Sequence, residues 1–249
     1  MITLKSKREL EIMRGASRIV AEVLEGLRDH CKVGATTRDL DRIAEELTLK
    51  NKALPAFKGY RGFPKSLCTS INAEVVHGIP GKHELKNGDI VGLDFGVLYE
   101  GYYGDGAITL PIGNVTPEVE SLLKITSECL YLGIEQMHPG RHLSDISRAI
   151  QDHAERHGFS LVKELGGHGI GKRLHEDPMV LNYVSDGRGI KLKAGLVLAI
   201  EPMVNMGTDR IRILPDGWTV VTADGKPSAH FEHTVAITDE GPEILTRTN

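Results

Sequence analysis

LKNGDIVGLD, residues 85–94, returns 107 positions later as LKAGLVLAIE, residues 192–201. Each copy is a glycine-containing turn followed by an apolar strand, and each strand ends on a carboxylate, Asp94 or Glu201. A second pattern recurs upstream at an offset of 106, as Gly34, Asp39, Leu40 and Arg42 and then as Gly140, Asp145, Ile146 and Arg148. Two near-equal offsets in the same order predict a duplication, although short turn signals also repeat by chance.

The secondary-structure signals follow the same order in the two halves. Apolar residues at helical spacing predict two helices within residues 12–47, the second after a Thr36-x-x-Asp39 cap signal, and two more within residues 119–154 after Thr116-Pro117. Apolar runs predict strands over residues 90–97, 102–110, 196–201, 210–214, 218–222 and 229–237. We therefore expect an α+β fold of two pseudo-symmetric helix and strand halves, with a site where the halves meet.

Length and composition restrict the class of protein. No linker divides the chain, so residues 1–249 are expected to form a single domain, with a helical lead-in over about residues 1–50 and no further amino-terminal domain. A net charge of -4 argues against a surface dominated by nucleic-acid or membrane binding. Three widely spaced cysteines indicate reduced thiols, and no apolar run approaches the ~20 residues of a membrane helix. A soluble cytoplasmic protein is expected.

Residues 94–105 predict a hairpin with an aspartate at each end. It can turn at Tyr99-Glu100 or at Glu100-Gly101. With the first turn, Asp94 and Asp105 face each other with Cβ atoms ~5 Å apart, and at an effective dielectric constant of about 20 their charges repel by ~3 kcal/mol. A positive charge must then lie between them. The alternative is a pair of solvated loop aspartates, which the apolar run before Asp94 makes less attractive.

Three more residues are candidates for the same site. Glu201 follows a run that looks buried on both faces, and Glu232 lies on the face of a strand opposite to Phe231, although a lone strand glutamate is usually solvated. His168 lies among glycines that let the backbone approach a centre closely. One imidazole and four carboxylates suit Mn(II), Fe(II) or Co(II) better than structural zinc, and four negative charges fit two divalent ions.

A nucleotide-binding loop is the competing interpretation of the glycine-rich segment. Gly166-x-x-x-x-Gly171-Lys172 has the spacing of a phosphate-binding loop. Arg173, however, stands where a Ser or Thr hydroxyl must reach Mg²⁺, and no clear helix follows. The dinucleotide pattern fails as well, since its last glycine is replaced by Lys172. These departures argue against nucleotide binding.

Several motifs together resemble those of the type I methionine aminopeptidases of the pita-bread fold, bacterial or organellar in style. The motifs are Pro64-Lys65-Ser66-x-Cys68-x-Ser70-Ile71-Asn72, His77-Gly78-Ile79-Pro80, Gly104-Asp105, Gly167-His168-Gly169-Ile170-Gly171, His175-Glu176-Asp177-Pro178, Ile200-Glu201-Pro202 and Glu232-His233-Thr234. They occur in family order from about Ile12 to Leu245. The resemblance implies two duplicated halves around a central antiparallel sheet.

The resemblance also implies a dinuclear metal site. Its five ligands would be Asp94, Asp105, His168, Glu201 and Glu232. Asp105 and Glu232 would bridge both ions, His168 and Glu201 would complete one ion, and Asp94 the other. The ions would be divalent Co, Mn, Fe, Ni or Zn.

The other site residues are implied in the same way. Glu201 would accept a proton, and His77 and His175 would bind the substrate near the scissile amide, although each histidine alone looks like an ordinary loop residue. The methionine pocket would consist of Phe57, Tyr60, Phe63, Cys68, Leu174 and Trp218, which could equally be plain core. The family commonly has Cys, Tyr and Phe where Phe57, Phe63 and Leu174 stand, so the pocket departs from the usual shape.

The implied activity is hydrolytic removal of the amino-terminal methionine from nascent polypeptides, with preference for a small second residue. A monomer with at most a local contact to the ribosome is expected. An Xaa-Pro aminopeptidase or dipeptidase of the same fold is one alternative, but those enzymes usually carry an amino-terminal domain. A non-catalytic peptide-binding module is the other alternative, and such modules typically lose ligands, whereas all five are present.

Overall fold

A computed structural model describes residues 2–248 of the chain. Its helices are α1 (Lys7–Arg28), α2 (Thr37–Lys50), α3 (Pro117–Ile134) and α4 (Leu143–Arg156). The predicted caps are present: the Thr36 hydroxyl accepts a hydrogen bond from the Asp39 amide at 3.3 Å, and the Thr116 hydroxyl accepts one from the Val119 amide at 3.4 Å. The four helix predictions are confirmed. Within residues 2–248, none of the helices combines the length and apolar character needed to cross a bilayer.

The strands are mostly short. They are β1 (Leu54–Pro55), β2 (Cys68–Ile71), β3 (Glu74–Val76), β4 (Ile90–Tyr99), β5 (Tyr102–Pro111), β6 (Ser160–Leu161), β7 (Gly167–Gly169), β8 (Glu176–Val180), β9 (Val197–Ile200), β10 (Met203–Asn205), β11 (Ile211–Ile213), β12 (Val220–Thr222), β13 (Ser228–His230), β14 (Glu232–Thr238) and β15 (Gly241–Ile244). A turn of 3-10 helix spans Tyr60–Gly62.

The central sheet shows the predicted pseudo-twofold relation. Its order is β1-β4-β5-β14-β9-β7-β8, with β2 also on β4 and β15 also on β14. Every pair in it is antiparallel. The set β2, β4, β5 in the first half thus matches β7, β9, β14 in the second, and the halves join between β5 and β14. Two three-stranded sheets, β13-β10-β6 and β11-β12-β3, complete the fold.

The repeated turns make the same contacts in both halves. Gly34 and Gly140 both have positive φ, at 88° and 94°, a region that favours glycine. The Gly34 amide donates to the Leu85 carbonyl and the Gly140 amide to the Leu192 carbonyl, each at 2.9 Å. The sequence echoes are therefore structural equivalents, and each one docks the start of a helix on the turn before a central strand.

Each half has its own apolar core between its helices and the sheet. The first contains Leu27, Leu40 and Phe95 from α1, α2 and β4. The second packs side chains of α3 and α4, such as Leu122 and Ile146, against β9 and β14. A third cluster, which includes Phe57, Phe63 and Leu174, lies beside the candidate site. The two cores hold the ends of the central strands in fixed positions.

The β4–β5 hairpin turns at Glu100-Gly101, so the alignment built on a Tyr99-Glu100 loop is wrong. A tight hairpin turn whose twist matches the strands needs positive φ at both central residues. Glu100 and Gly101 have φ of 46° and 81°. Gly101 adopts this conformation at no steric cost, whereas the alternative loop would force it on the bulky Tyr99.

The corrected register changes how the hairpin aspartates meet. Asp94 pairs with Ala107, and Asp105 pairs with Gly96. The two aspartates are therefore diagonal neighbours on one face of the sheet instead of directly opposed residues.

Two predicted strands have different limits in the structure. The run over residues 229–237 breaks at Phe231, because β13 pairs with β10 in a small sheet whereas β14 pairs with β5 and β9 in the central one. Trp218 lies before β12 in a turn, where the Asp216 carboxylate accepts hydrogen bonds from the amides of Trp218 and Thr219, each at 2.8 Å.

Candidate metal centre and substrate cavity

A cavity of 140 Å³ opens where the two halves meet. Its walls contain all thirteen site residues predicted from the sequence, together with Arg61. The lining residues are Phe57, Tyr60, Arg61, Phe63, Cys68, His77, Asp94, Asp105, His168, Leu174, His175, Glu201, Trp218 and Glu232. The structure thus brings together groups separated by up to 175 positions in the chain.

The acidic floor of the cavity comes from the ends and middles of four central strands. Asp94 lies in β4 and Asp105 in β5, Glu201 follows β9 directly, and Glu232 is the first residue of β14. His168, in β7, places its Nε2 3.6 Å from Glu201 Oε1 and 3.9 Å from Asp105 Oδ2. Ligand atoms of Asp105, His168 and Glu232 all lie within 4.8 Å of one another.

Burial opposes ionisation of these carboxylates. It raises the pKa of Asp94 and of Glu201 to about 7. Burial, followed by repulsion from the other acids, also raises the pKa of Asp105 and of Glu232 well above their usual range. Asp94 Oδ1 and Glu232 Oε1 are buried without a hydrogen-bond partner. A positive charge bound at the acidic floor would therefore stabilise the ionised form of these carboxylates.

Bound cations would supply this positive charge. Within residues 2–248, imidazoles are the only basic groups in ion-pair range of the four carboxylates, and no lysine or arginine approaches them. Buried carboxylates without such partners occur in proteins where metal ions neutralise them. The oxygen-rich donor set with one imidazole matches hard or borderline divalent ions. The residues present therefore fit a divalent metal centre.

Two neutral histidines stand above the acidic floor. His175 Nδ1 lies 2.9 Å from the Tyr60 hydroxyl, and the two rings are stacked 5.3 Å apart. Burial, and then the proximity of His168, lower the pKa of His175 to about 3. Burial likewise lowers the pKa of His77 to about 4. Both imidazoles are therefore uncharged at neutral pH.

Aromatic side chains form the apolar wall. The rings of Phe63 and Trp218 meet edge to face at 5.2 Å, and the Trp218 ring lies 6.3 Å from His77. Phe57 contacts Phe95 in the same manner, at 6.5 Å. The wall thus combines apolar side chains with the imidazole of His77 at one edge.

Two residues near the site were not predicted. His230 is buried, with Nε2 3.6 Å from Glu201 Oε2. Strand alternation places residue 230 on the same side as Glu232, a signal that could have identified it. Arg61 lines the cavity with φ of 48°, and its guanidinium lies 5.4 Å from the centre of the Tyr60 ring. Nothing in the sequence distinguishes Arg61 from any other loop arginine.

Comparison with known proteins identifies the family. Residues 11–239 match the model of metallopeptidase family M24. The chain is 54% identical over 246 residues to the methionine aminopeptidase of Clostridium perfringens, with 99% of each protein covered. It belongs to the methionine aminopeptidases of this family. The crystal structure of the methionine aminopeptidase from Thermotoga maritima superposes with a TM-score of 0.98 at 43% identity and covers all of both chains.

The same comparisons weigh the alternatives. The prolidase from Pyrococcus furiosus shares the fold, with a TM-score of 0.81, but is 24% identical and only 66% of it is covered. The pita-bread fold is thus shared, while the Xaa-Pro alternative is not favoured over a methionine aminopeptidase. The nucleotide-loop interpretation also fails, because Gly167–Gly169 forms β7 inside the sheet and the next element is β8 instead of a helix.

Proposed function

We propose that residues 1–249 form one catalytic domain that uses two divalent ions to release the amino-terminal methionine of nascent polypeptides. Release of amino-terminal methionine is the activity of the family to which the chain belongs. The observation that carries the two-ion proposal is the set of four carboxylates, of which Asp105 and Glu232 are buried and Asp94 and Glu201 half-buried, together with the buried imidazole of His168 beside an apolar wall. Two divalent ions carry four positive charges, which neutralise four ionised carboxylates. A single divalent ion would leave half of that negative charge uncompensated.

The five ligands are assigned as follows. Asp105 and Glu232 would serve both ions, His168 and Glu201 would complete one, and Asp94 would complete the other. The two unpartnered oxygens, Asp94 Oδ1 and Glu232 Oε1, support the assignment because each needs a partner that the protein does not provide. The donor set suits Co, Mn, Fe, Ni or Zn and does not select among them.

When bound, the ions supply a hydrolytic nucleophile at neutral pH and polarise the scissile carbonyl. Glu201 is placed to accept the proton of the attacking water. Without metal, burial raises the pKa of Glu201 to about 7. His168 lies at one of its oxygens, at 3.6 Å.

His175 stabilises the developing oxyanion. His175 Nδ1 lies 2.9 Å from the Tyr60 hydroxyl, and we assign the Tyr60 O–H as the donor of this bond. The proton of the neutral ring is then on Nε2, which makes Nε2 a donor. A pre-oriented oxyanion donor is typically worth about 2.7 to 4 kcal/mol in the transition state. His77, equally neutral, positions the amide of the next residue from the opposite wall.

The apolar wall binds the methionine side chain. A dry cavity of about 150 Å³ holds a benzene-sized molecule. A cavity of 140 Å³ therefore has room for an unbranched thioether side chain, and sulfur–aromatic contacts with Phe63 and Trp218 favour it. Phe57, Cys68 and Leu174 close the pocket.

The setting of the reaction follows from the same features. We infer a monomer, because all thirteen predicted site residues meet in one cavity of a single chain, so that the site is complete without a second copy. A cytoplasmic location is supported by the three cysteines, all of which are free. The net charge of -4 leaves room for at most a local contact with the ribosome. A small second residue is expected in the substrate, as in the family.

Peptide hydrolysis by metal-free and reloaded protein tests the proposal. Metal is removed with a chelator, and Mn(II), Fe(II), Co(II), Ni(II) or Zn(II) is added back separately before Met-Ala-Ser is supplied. Methionine release should require metal and a free amino terminus, so N-acetyl-Met-Ala-Ser should be inert. Asp105→Asn should lose at least one ion and most activity. Release without metal, or faster cleavage of Ala-Pro than of Met-Ala-Ser, would contradict the proposal.

A further inference from the structure

A second buried imidazole borders the acidic floor outside the five proposed ligands. His230 is 3% exposed. Its Nε2 is buried without a hydrogen-bond partner and lies 3.6 Å from Glu201 Oε2. Buried polar groups in native proteins nearly always have partners, so this one requires an explanation.

The position of His230 is fixed through its backbone. The His230 carbonyl accepts a hydrogen bond from the Thr109 hydroxyl at 2.7 Å, and the His230 amide donates to the oxygen of that hydroxyl at 3.0 Å. His230 also pairs with Met203 between β13 and β10. Two strands in two different sheets therefore hold the residue, and only the side chain can adjust.

Glu201 stands between two imidazoles. Its Oε1 is 3.6 Å from His168 Nε2, and its Oε2 is 3.6 Å from His230 Nε2. Its backbone carbonyl accepts from Asn182 Nδ2 at 3.0 Å, which fixes the start of the side chain. A charge-assisted N–H···O bond is about 2.7 to 2.9 Å long, so a side-chain movement of less than about 1 Å would form one.

The nearest acceptor decides which role fits. Among residues 2–248, Glu201 is the one acid with an oxygen within 4.0 Å of His230 Nε2. A metal ligand is expected to approach several other ligands, as His168 approaches both Asp105 and Glu201. Asp94 is near enough to interact electrostatically with the His230 imidazole, but only Glu201 lies within ion-pair distance of its Nε2. A single acceptor within reach is the arrangement of a supporting donor.

We propose that His230 is a positioning residue, which donates its Nε2–H to Glu201 Oε2 and fixes the orientation in which Glu201 accepts the proton. This inference rests on the proposed role of Glu201. His230 would then hold the Oε2 side of the carboxylate, while the Oε1 side, which faces His168, stays available for the ion that both residues are proposed to bind.

Two variants separate the donor from the shape of the side chain. His230→Gln keeps an N–H donor at a similar reach, whereas His230→Leu fills similar space without a donor. Loss of a residue that supports a ligand typically costs 10- to 100-fold in activity or metal affinity. We expect His230→Leu to lower kcat for Met-Ala-Ser about 10- to 100-fold with KM changed less than about threefold, and His230→Gln to restore kcat to within about fivefold of the original chain.

Cobalt binding gives a readout that does not depend on turnover. Apo protein is titrated with Co(II) in a calorimeter, and the visible absorption of the bound ion is recorded. Affinity should fall about tenfold in His230→Leu and recover in His230→Gln, with the absorption spectrum of the Gln variant unchanged. Should the Leu variant fail to fold, His230→Met fills the volume without a donor and takes its place.

Failure of the proposed function can be distinguished from failure of the inference about His230. If the unmodified chain releases no methionine with any metal, the proposed function fails, while the cobalt titrations still report on His230. A Gln variant as defective as the Leu variant, with an altered cobalt spectrum, would show that the imidazole is itself a ligand. A Leu variant with unchanged kcat and cobalt affinity would remove any positioning role. Either result overturns the inference.

Discussion

At the scale of single residues, the protein keeps two histidines of the cavity, His77 and His175, neutral. His175 and His77 have pKa values lowered to about 3 and 4 by burial. A neutral imidazole donates from one nitrogen only, and in the role proposed for His175 that nitrogen is Nε2, with Nδ1 at the Tyr60 hydroxyl.

Replacing His175 with alanine should therefore affect the transition state more than substrate binding. We expect kcat to fall about 100- to 1000-fold, because an oxyanion donor acts mainly as charge develops. Metal content should not change. Steady-state kinetics and metal analysis check this, with the exposed His30→Ala as the control. A change confined to KM would show that His175 only binds substrate.

The two unusual pocket residues predict changes in specificity. Phe57 and Leu174 both line the cavity, at 8% and 1% exposure. Phe57→Cys should enlarge the pocket and weaken discrimination between methionine and larger first residues. Leu174→Phe should crowd it and slow methionine turnover. A methylene of misfit is worth about 1 to 3 kcal/mol, or roughly 10- to 200-fold.

Values of kcat/KM for Met-Ala and Leu-Ala peptides test both variants against the unmodified chain. The ratio for the two peptides should move in at least one variant. Unchanged ratios in both would show that these positions do not shape the methionine pocket.

Asp94 and Glu201 could be predicted from sequence because each ends an apolar run, where a carboxylate without a partner is costly, whereas Asp105 was inferred from the hairpin and Glu232 gained weight only from the family resemblance. Asp94 and Glu201 lie at equivalent places in the duplication. His230 could not be assigned in this way. Its importance rests on the 3.6 Å distance between its Nε2 and Glu201 Oε2. That contact exists only in the folded chain, because His230 lies in β13 of a small sheet and Glu201 follows β9 of the central sheet.

At the scale of elements, glycines in β4 permit the close packing of the pocket wall. A Cβ added at Gly96 would lie 2.7 Å from Phe57 Cε1 and 3.1 Å from Ala56 Cβ. A Cβ added at Gly92, on the same strand, would meet nothing nearer than 3.6 Å. The same Gly→Ala substitution can therefore be compared at two positions of β4, one without room for a methyl group and one with room for it.

Gly96→Ala should push the Phe57 ring from its position, because the strand cannot move while it pairs with β1, β2 and β5. Overpacking of this kind costs about 1 to 3 kcal/mol. We expect a lower Tm and a higher KM for Met-Ala-Ser. Gly92→Ala should change both far less. Equal effects of the two substitutions would show that Phe57 has room to yield.

The four helices and the long strands could be predicted because their periodicity is local. The two- and three-residue strands could not, since they exist only through partners far away in the chain: β3 pairs with β12, about 145 positions later. The register of the β4–β5 hairpin depended on the turn, and positive φ at Glu100 and Gly101 selected the later of the two loops considered.

At the scale of the whole molecule, the duplication places the strands that carry the acids side by side and concentrates charge at the joint between the halves. Without metal, this arrangement should make stability depend on pH. An acid whose pKa is higher in the folded than in the unfolded state keeps its proton longer when folded, so stability falls as pH rises toward the folded pKa. The pKa is lowered to about 4 in His77, to about 3 in His175 and to about 4 in His233, and it is also lowered in His230; these four histidines act in the opposite direction below pH 6.5.

The test therefore uses the range from pH 6.5 to about 8.5, where those histidines are neutral and the acids of the cavity still titrate. The Tm of the metal-free protein should fall across this range, by about 2 to 4 °C for each kcal/mol lost. Protein loaded with Mn(II) should show little change. A metal-free Tm that rises with pH would contradict the electrostatic description of the cavity.

The most direct test of the central claim is an anomalous difference map from a crystal of the Mn(II)-loaded protein. We predict two peaks at the acidic floor, about 3.5 to 4 Å apart, as in other two-metal hydrolases. Oxygens of Asp105 and Glu232 should contact both peaks, with His168 and Glu201 on one and Asp94 on the other. A single peak, or peaks away from these five residues, would contradict the claim.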